Sequence, residues 1–381
     1  MPGRKVVLAG IAVGILVTLA AYALRTTFPS VAYTIERGIV DLHVRHSGER
    51  PATQHPGIAV VTITEETLAP LRYRDPIDRG FMADLVKAID RAGARSIGLN
   101  FYYLKPTTPE KDEALITAIR EARAHVVMGG VDGRNRDTTA AQRDYQELFV
   151  FGQTMRSTGY LELRVESDGV VRFWAQPFAG GWLAESFSVQ LARTVGAARL
   201  PAYPMIAWRR PPSDGSDTFL TLPAHAVVAT AGSTRSSELS ALRGRIVLIG
   251  VDLQDRDRHR TPLPVASVDG RMPGVLVHAH TLAQLLDRRE FTILPAWREF
   301  ALIFSRVLFG FFVGCRRRHA RSDLMAGGWG AVSLLAFDSI MFATFRTIIP
   351  LTMLFVAWVI GIGAGHVAWA RRTGNAPASM A

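Results

Sequence analysis

The sequence predicts a mixed α/β fold: a mostly parallel sheet with flanking helices in an extracytoplasmic domain, plus a four-helix transmembrane region. Three observations carry this. Short aliphatic runs that stop at a glycine or a polar turn, such as the IVLIG of Ile246–Gly250, read as strands buried on both faces. They alternate with segments of helical period, such as 80–92, where Phe81, Leu85, Ile89 and Ala92 fall on one face. Long apolar runs stand at the amino-terminal end and after residue 299.

Arg4 and Lys5 precede an unbroken apolar run from Val6 to Leu24. As a helix it is about 28 Å long, enough to cross a bilayer core. It exceeds a usual signal-peptide core, so residues 1–25 are expected to be an uncleaved anchor; Ala21-Tyr22-Ala23 fits the alternative of a cleaved signal. Either way the chain that follows is exported. Residues 26–298 form the expected extracytoplasmic domain. Phe28 to Gln54 is a connecting region with a helical or extended lead, YTIERGIVDLHVRH, and Gly57 to Thr64 is a strand. The helix over 80–92 ends at Gly93, and SIGLNF is the next strand. Pro109 opens a helix through DEALITAIREA, and HVVMGG is a third strand. Strand–helix alternation of this kind argues for parallel pairing through right-handed crossovers.

The middle is less regular. Asp132 to Gln146 reads as a surface loop, Gly159 to Phe173 as a hairpin turning at Asp168-Gly169, and Ser186 to Val195 as a helix. FLTLPAHAVVAT supplies further short strands, and VLVHAHTLAQLL is the helix after IVLIG. Residues 299–372 hold three more apolar segments: Phe300 to Gly314 with Arg306, Leu324 to Phe345 with Asp338, and Ile348 to Ala370 with His366. A charge at bilayer depth costs a few kcal/mol unless it faces a partner. Arg306 and Asp338, on spans joined by a short loop, are therefore a candidate intramembrane pair, weighed against separate snorkelling of each.

Charge placement marks topology. The net charge is +11, but residues 26–298 hold 33 basic and 30 acidic groups, leaving only +3 there. The excess sits beside the apolar runs, in CRRRHARS and Arg371-Arg372. Basic groups stay inside, which places both termini in the cytoplasm of a bacterial inner-membrane protein and the α/β domain in the periplasm. A nucleic-acid binder would carry its charge on the folded domain, so that class is excluded as a partner. Cys315 is the only cysteine, so no intrachain disulfide forms. After Arg372 only a short cytoplasmic tail, 373–381, is expected, with no kinase, cyclase or phosphatase domain following.

The most polar place at a strand's carboxyl end is the loop DLQDRDRHR after IVLIG, where doubly wound sheets bind ligands. Asp255, Asp257 and His259, with His278 and His280, are the residue types of a small-ligand or metal pocket. The competing reading is structural, with His278 and Asp257 fixing loop to helix by hydrogen bonds. On a helix His278 and His280 point about 200° apart and cannot share one metal. The Gly129–Gly133 turn lacks the dinucleotide fingerprint and the phosphate-loop lysine. No GxSxG occurs, and Ser186 and Ser188 sit in an ordinary helix pattern. No cofactor, metal or catalytic residue is assigned.

IVLIG, DRHRTPL and PGVLVHAHTLAQLL, with AVVTITEETL, the Pro76–Arg79 segment, GARSIGLNF and DEALITAI upstream, resemble the type-two CHASE domain, a cyclase- and histidine-kinase-associated sensory extracellular module. The resemblance covers roughly Ala52 to Arg289. It implies a sensor that passes signals through membrane helices to a partner. Asp257, Thr261, Pro262, Pro273, Gly274, His278 and Ala279 match its motif. Thr64 and Asn100 stand where members usually carry aspartates, which implies a different ligand or a lost one. The candidate ligand-binding residues are therefore Asp257, His259, Thr261, His278, Asn100 and Thr64. The expected partners are the lipid bilayer, an unidentified small-molecule or protein ligand and a cytoplasmic or membrane signalling protein; a homodimer is compatible. A membrane-anchored periplasmic hydrolase and a ligand-free accessory subunit stand as alternatives.

Overall fold

The computed structural model describes all residues except 1–3, 47–49, 73, 133–137, 155, 177–182, 198, 231–236, 264–268, 317–319 and 374–381. The centre of the basic CRRRHARS segment, the end of the Gly129–Gly133 turn and the expected tail beyond Thr373 lie outside the described residues. The chain divides into two compact units, one of residues 1–48 with 291–381 and one of residues 49–290.

The first unit is helical: α1 (Arg4–Thr27), α2 (Pro29–His46), α11 (Ala296–Arg316), α12 (Ala320–Phe345) and α13 (Leu351–Thr373). By length and composition α1, α12 and α13 can each cross a membrane. The expected span over Phe300 to Gly314 is the middle of α11. That helix is long enough, but it carries Arg298, Glu299, Arg306 and Arg316, so its composition falls short of the other three. Of the two alternatives for the lead of the connecting region, helical or extended, the chain takes the helix α2.

α11 and α13 meet along a seam of glycines. A Cβ on Gly314 would stand 2.2 Å from the Ile362 carbonyl oxygen, and one on Gly361 would stand 2.4 Å from that of Val307. Gly310 and Gly365 complete the two GxxxG pairs, the spacing that lets helix backbones touch.

The expected pair of Arg306 and Asp338 does not form. Asp338 is buried and accepts a 2.6 Å hydrogen bond from His43 Nε2 of α2, whose ring stacks on Phe342 with centroids 5.0 Å apart. Arg306 reaches Ser333 Oγ at 3.5 Å and lies over the Trp358 ring, 5.3 Å from its centroid. Ser333 is five residues before Asp338, about 7.5 Å along the helix. The arginine thus meets α12 at its own level, and the sequence reading did not anticipate a partner from α2.

The second unit is a three-layer α/β structure. Its strands are β1 (Ile58–Ile63), β2 (Ser96–Leu99), β3 (His125–Gly130), β4 (Ser157–Tyr160), β5 (Leu163–Val165), β6 (Val171–Trp174), β7 (Leu220–Pro223) and β8 (Ile246–Val251). Six of them form a parallel sheet in the order β4-β3-β2-β8-β1-β7, while β5 and β6 make the expected antiparallel hairpin, turning at Gly169. The helices are α3 (Glu65–Leu68), α4 (Arg79–Arg91), α5 (Pro109–Glu121), α6 (Ala140–Glu147), α7 (Phe187–Arg193), α8 (Ala224–Ala229), α9 (Ser237–Ser240) and α10 (Gly274–Leu286). Two expectations are corrected. The polar segment after Asp132 contains α6, started by a capping box of Thr139 and Gln142. In FLTLPAHAVVAT the strand stops at Pro223 and the rest is α8.

Alternation along each strand gives the sheet two buried faces. Val61, Ile63, Ile97, Leu99, Val247 and Ile249 meet Leu85 and Ile89 of α4, Leu115 of α5 and Val227 of α8. The opposite face carries glycines that admit α7 and α10. A Cβ on Gly98 would lie 2.7 Å from the Phe187 ring, and one on Gly250 would lie 2.5 Å from Val275 Cβ.

The helical unit supplies a test of its pairing. In a double-mutant cycle on detergent-solubilised protein, His43→Ala and Asp338→Asn should couple by about 1 kcal/mol or more, while Arg306→Leu and Asp338→Asn should add. Additive effects in the first cycle would refute the assignment.

Candidate functional site

The carboxyl ends of β1, β8 and β2 lie side by side, and each is followed by a polar residue: Thr64, Asp252 and Asn100. The backbone N–H of Asn100 donates to Ile249 and that of Asp252 donates to Ile63, both at 2.9 Å, so these two positions are held by the sheet itself. Thr64 is the N-cap of α3 and accepts from Thr67 N at 3.4 Å; Thr67 in turn bonds His225 at 3.0 Å. Asn100 is buried, and its amide nitrogen has no hydrogen-bond partner. With β8 between them, the first and last of these sites are about two strand spacings apart, roughly 10 Å.

Beyond β8 the loop folds back on itself. Asp257 adopts a left-handed backbone conformation, φ 49°, uncommon for a residue other than glycine. Its carbonyl accepts from Gly274 N at 2.9 Å and its carboxylate accepts from His259 Nε2 at 2.8 Å. The same carboxylate covers Gly274, where a Cβ would stand 2.3 Å from Oδ2. This close approach is why a glycine opens α10. Residues Arg258–His259 and Met272–Pro273 pair as a short antiparallel ladder that closes the loop. Thr261 is buried and donates to the Leu263 carbonyl at 2.7 Å.

His278 takes no part in that cluster. It is buried in α10, with Nε2 facing the Leu161 carbonyl at 3.3 Å and Nδ1 facing Ser188 Oγ at 3.2 Å. A carbonyl only accepts, so Nε2 carries the proton. Burial pushes this imidazole down to about 4, against the opposing pull of the Asp257 carboxylate. The expected hydrogen bond linking Asp257 to His278 is replaced by these two contacts. The Ser188–His278 pair has no carboxylate behind it, and Ser188 is fully buried, with its hydroxyl also 3.0 Å from the His278 carbonyl. The arrangement pins α7 to α10 and offers no nucleophile to a substrate.

His280 points elsewhere. It accepts from Arg209 N at 3.2 Å and packs between Trp208 and Phe219. Burial, with Arg289, Arg209 and His55 nearby, pushes it down to about 3. Among the described residues no three His, Cys, Asp or Glu side chains come together as a metal site.

Cavities open on this side of the unit, and two of them bear on the site. One, of about 670 Å³, is lined by Asp252, Arg258, Asp269, Phe219, Pro273 and His280. The other, of about 400 Å³, lies beyond the ends of β2 and β8. None of the six candidate ligand-binding residues lines either cavity. The sequence reading missed Asp252 and Arg258, which bond at 2.6 Å while Arg258 also holds the carbonyls of Leu253 and Arg271. The available signal was position, because Asp252 directly follows the strand. It also missed Arg79. This buried guanidinium meets Asp112 at 3.1 Å, donates to the Lys105 carbonyl at 2.6 Å and lies over the Phe149 ring. An arginine in the first turn of an amphipathic helix gives no such warning in sequence.

The histidines make a pH prediction. Both titrate near 6.5 in the unfolded chain and far lower in the fold. Between pH 6.5 and 4 the unfolded state therefore binds more protons, and stability falls as pH falls. His278 alone accounts for about 3 kcal/mol by pH 4. The Tm of His278→Gln should be lower than wild type at pH 7 and decline less between pH 7 and 4. Parallel curves would show that His278 is not the titrating group.

The CHASE2 domain family model matches residues 13–314, most of the chain, from within α1 to the last turn of α11. No curated protein and no solved structure matched the chain. The match covers the whole α/β unit and the helices that flank it in sequence, and on that extent the chain belongs to the CHASE2 family of extracellular sensory domains.

Proposed function

We propose that this chain is a bacterial inner-membrane sensor whose α/β unit detects a signal in the periplasm and acts through a partner protein. The observation that carries the reading is the sensory-family match across a unit bracketed in sequence by apolar helices. In this reading there are four spans, with both termini cytoplasmic. The glycine seam supports α11 as the fourth, because close backbone contact is how helices associate where no hydrophobic force drives them together. Its charges at positions 298, 299 and 316 fall at the helix ends, leaving Arg306 as the interior cation, level with Ser333 and Trp358. The partner is a cytoplasmic or membrane signalling protein, and a homodimer is one form the sensor takes in this reading.

Three experiments test it. A reporter active only in the cytoplasm should work when fused after Arg372 and fail when inserted near Asp214; the reverse pattern overturns the orientation. Purification from native membranes should bring down a kinase, cyclase or other regulator. Turnover of a substrate that vanishes on replacing Asp257, His259 and His278 with alanine would replace the sensor with a hydrolase.

A further inference from the structure

The smaller of these cavities lies at the place where a parallel sheet presents its strand ends. Val251 and Leu253 of the β8 end, Met82 of α4 and Phe101 just after β2 make its apolar wall. Tyr102 and Tyr103 continue that wall, the first exposed and the second buried. Cations ring it: Arg74, Arg256 and Lys105 line it, with Arg79 at the first turn of α4. The one acidic side chain in the lining is Asp75.

These cations are not equally available. Arg74 pairs with Glu65 and Arg256 with Asp75, the latter at 3.0 Å. Arg79 is held by Asp112, the Lys105 carbonyl and the Tyr145 hydroxyl. Lys105 is exposed, and among the described residues its ammonium group has no ion pair. The Tyr103 hydroxyl is the second unspent group. Tyr103 is 5 % exposed, stacks on Phe149 with centroids 5.1 Å apart, and its hydroxyl has no hydrogen-bond partner. Burial raises this phenol, so it stays a protonated donor. A buried donor left without an acceptor costs about 1–3 kcal/mol unless something completes it.

We propose that this cavity binds a small organic monoanion with a planar apolar body, its carboxylate accepting from the Tyr103 hydroxyl and the Lys105 ammonium and its ring lying against Phe101 and Tyr102. The volume of about 400 Å³ is at the small end of ligand pockets. A phosphate fits less well. The first free N–H groups of α4, at Gly80 and Phe81, are already taken by the Asp78 carboxylate at 2.9 and 3.1 Å. As the signal-binding site, the cavity rests on the sensor reading above.

The test is calorimetric titration of the detergent-solubilised full chain with benzoate, benzamide and inorganic phosphate. Benzoate should bind saturably, with benzamide and phosphate each at least tenfold weaker. Tyr103→Phe keeps the ring and removes a hydroxyl that bonds nothing in the fold, so its Tm should hold while benzoate affinity falls about tenfold. Lys105→Gln, at an exposed position, should weaken benzoate similarly and leave benzamide unchanged. Absence of saturable benzoate binding overturns the site, as does binding that both variants leave intact. Equal affinity for benzamide overturns the anion, and equal affinity for phosphate overturns the planar body. Failed binding with the expected reporter pattern sinks this site alone, whereas intact binding with a reversed pattern sinks the sensor reading alone.

Discussion

Everything in the α/β unit depends on β8 entering the sheet between β1 and β2. Ile246 pairs with Ile58 on one side and Ser96 on the other, strands that precede it by most of the unit's length. Until β8 arrives, β1 and β2 have no partner between them, and their carboxyl ends cannot form one edge. Closure of this kind is costly in chain entropy and is repaid only when the whole ladder forms. Arg245 marks the entry point, donating to the carbonyls of His55 and Ile58 as the strand begins.

The insertion dictates what may sit on each face. On the side of α4, α5 and α8, aliphatic side chains fill the space. On the side of α7 and α10, the glycines of β2 and β8 bring helix against strand. That close approach forces α10 to start immediately beyond the loop, and the Asp257 carboxylate occupies the space over Gly274. The loop is thus shaped by packing at both of its ends. Its His259–Asp257 contact is part of that closure, which accounts for a polar cluster without requiring a ligand there.

Buried imidazoles are handled in two ways. In the α/β unit His278 and His280 are kept neutral by burial, bonded to backbone groups and the Ser188 hydroxyl and packed on aromatic neighbours, while His55 faces the Asp287 carboxylate at 3.2 Å. In the helical unit His43 is set against a carboxylate, so two polar groups satisfy each other where neither could stand alone. Among the buried donors left without a partner, those of Tyr103 and Asn100 lie beyond and beside the strand ends. Function in such sheets collects where backbone order ends and side chains are released from packing.

Local pattern determined a great deal. The aliphatic runs, the helix over 80–92, Pro109 at a helix start and the Asp168-Gly169 hairpin follow from periodicity and turn chemistry acting over a few residues. So do the apolar lengths of α1, α12 and α13, and the weakness of α11, whose charges are visible in the sequence. α6 and α8 were missed because polar composition or a nearby proline masks short helices that packing stabilises, and α2 was left open between a helical and an extended reading. Only the tertiary structure decided which side chains meet. It placed His43 rather than Arg306 against Asp338, set His278 against Leu161 and Ser188 rather than Asp257, and kept Thr64 and Asn100 a β8 width apart. It also assembled Arg79, Tyr103 and Lys105 around one cavity. The physical reason is that contact energies depend on distance and solvent exclusion, and both are fixed by the order in which strands and helices pack, which neighbouring residues in a sequence do not record.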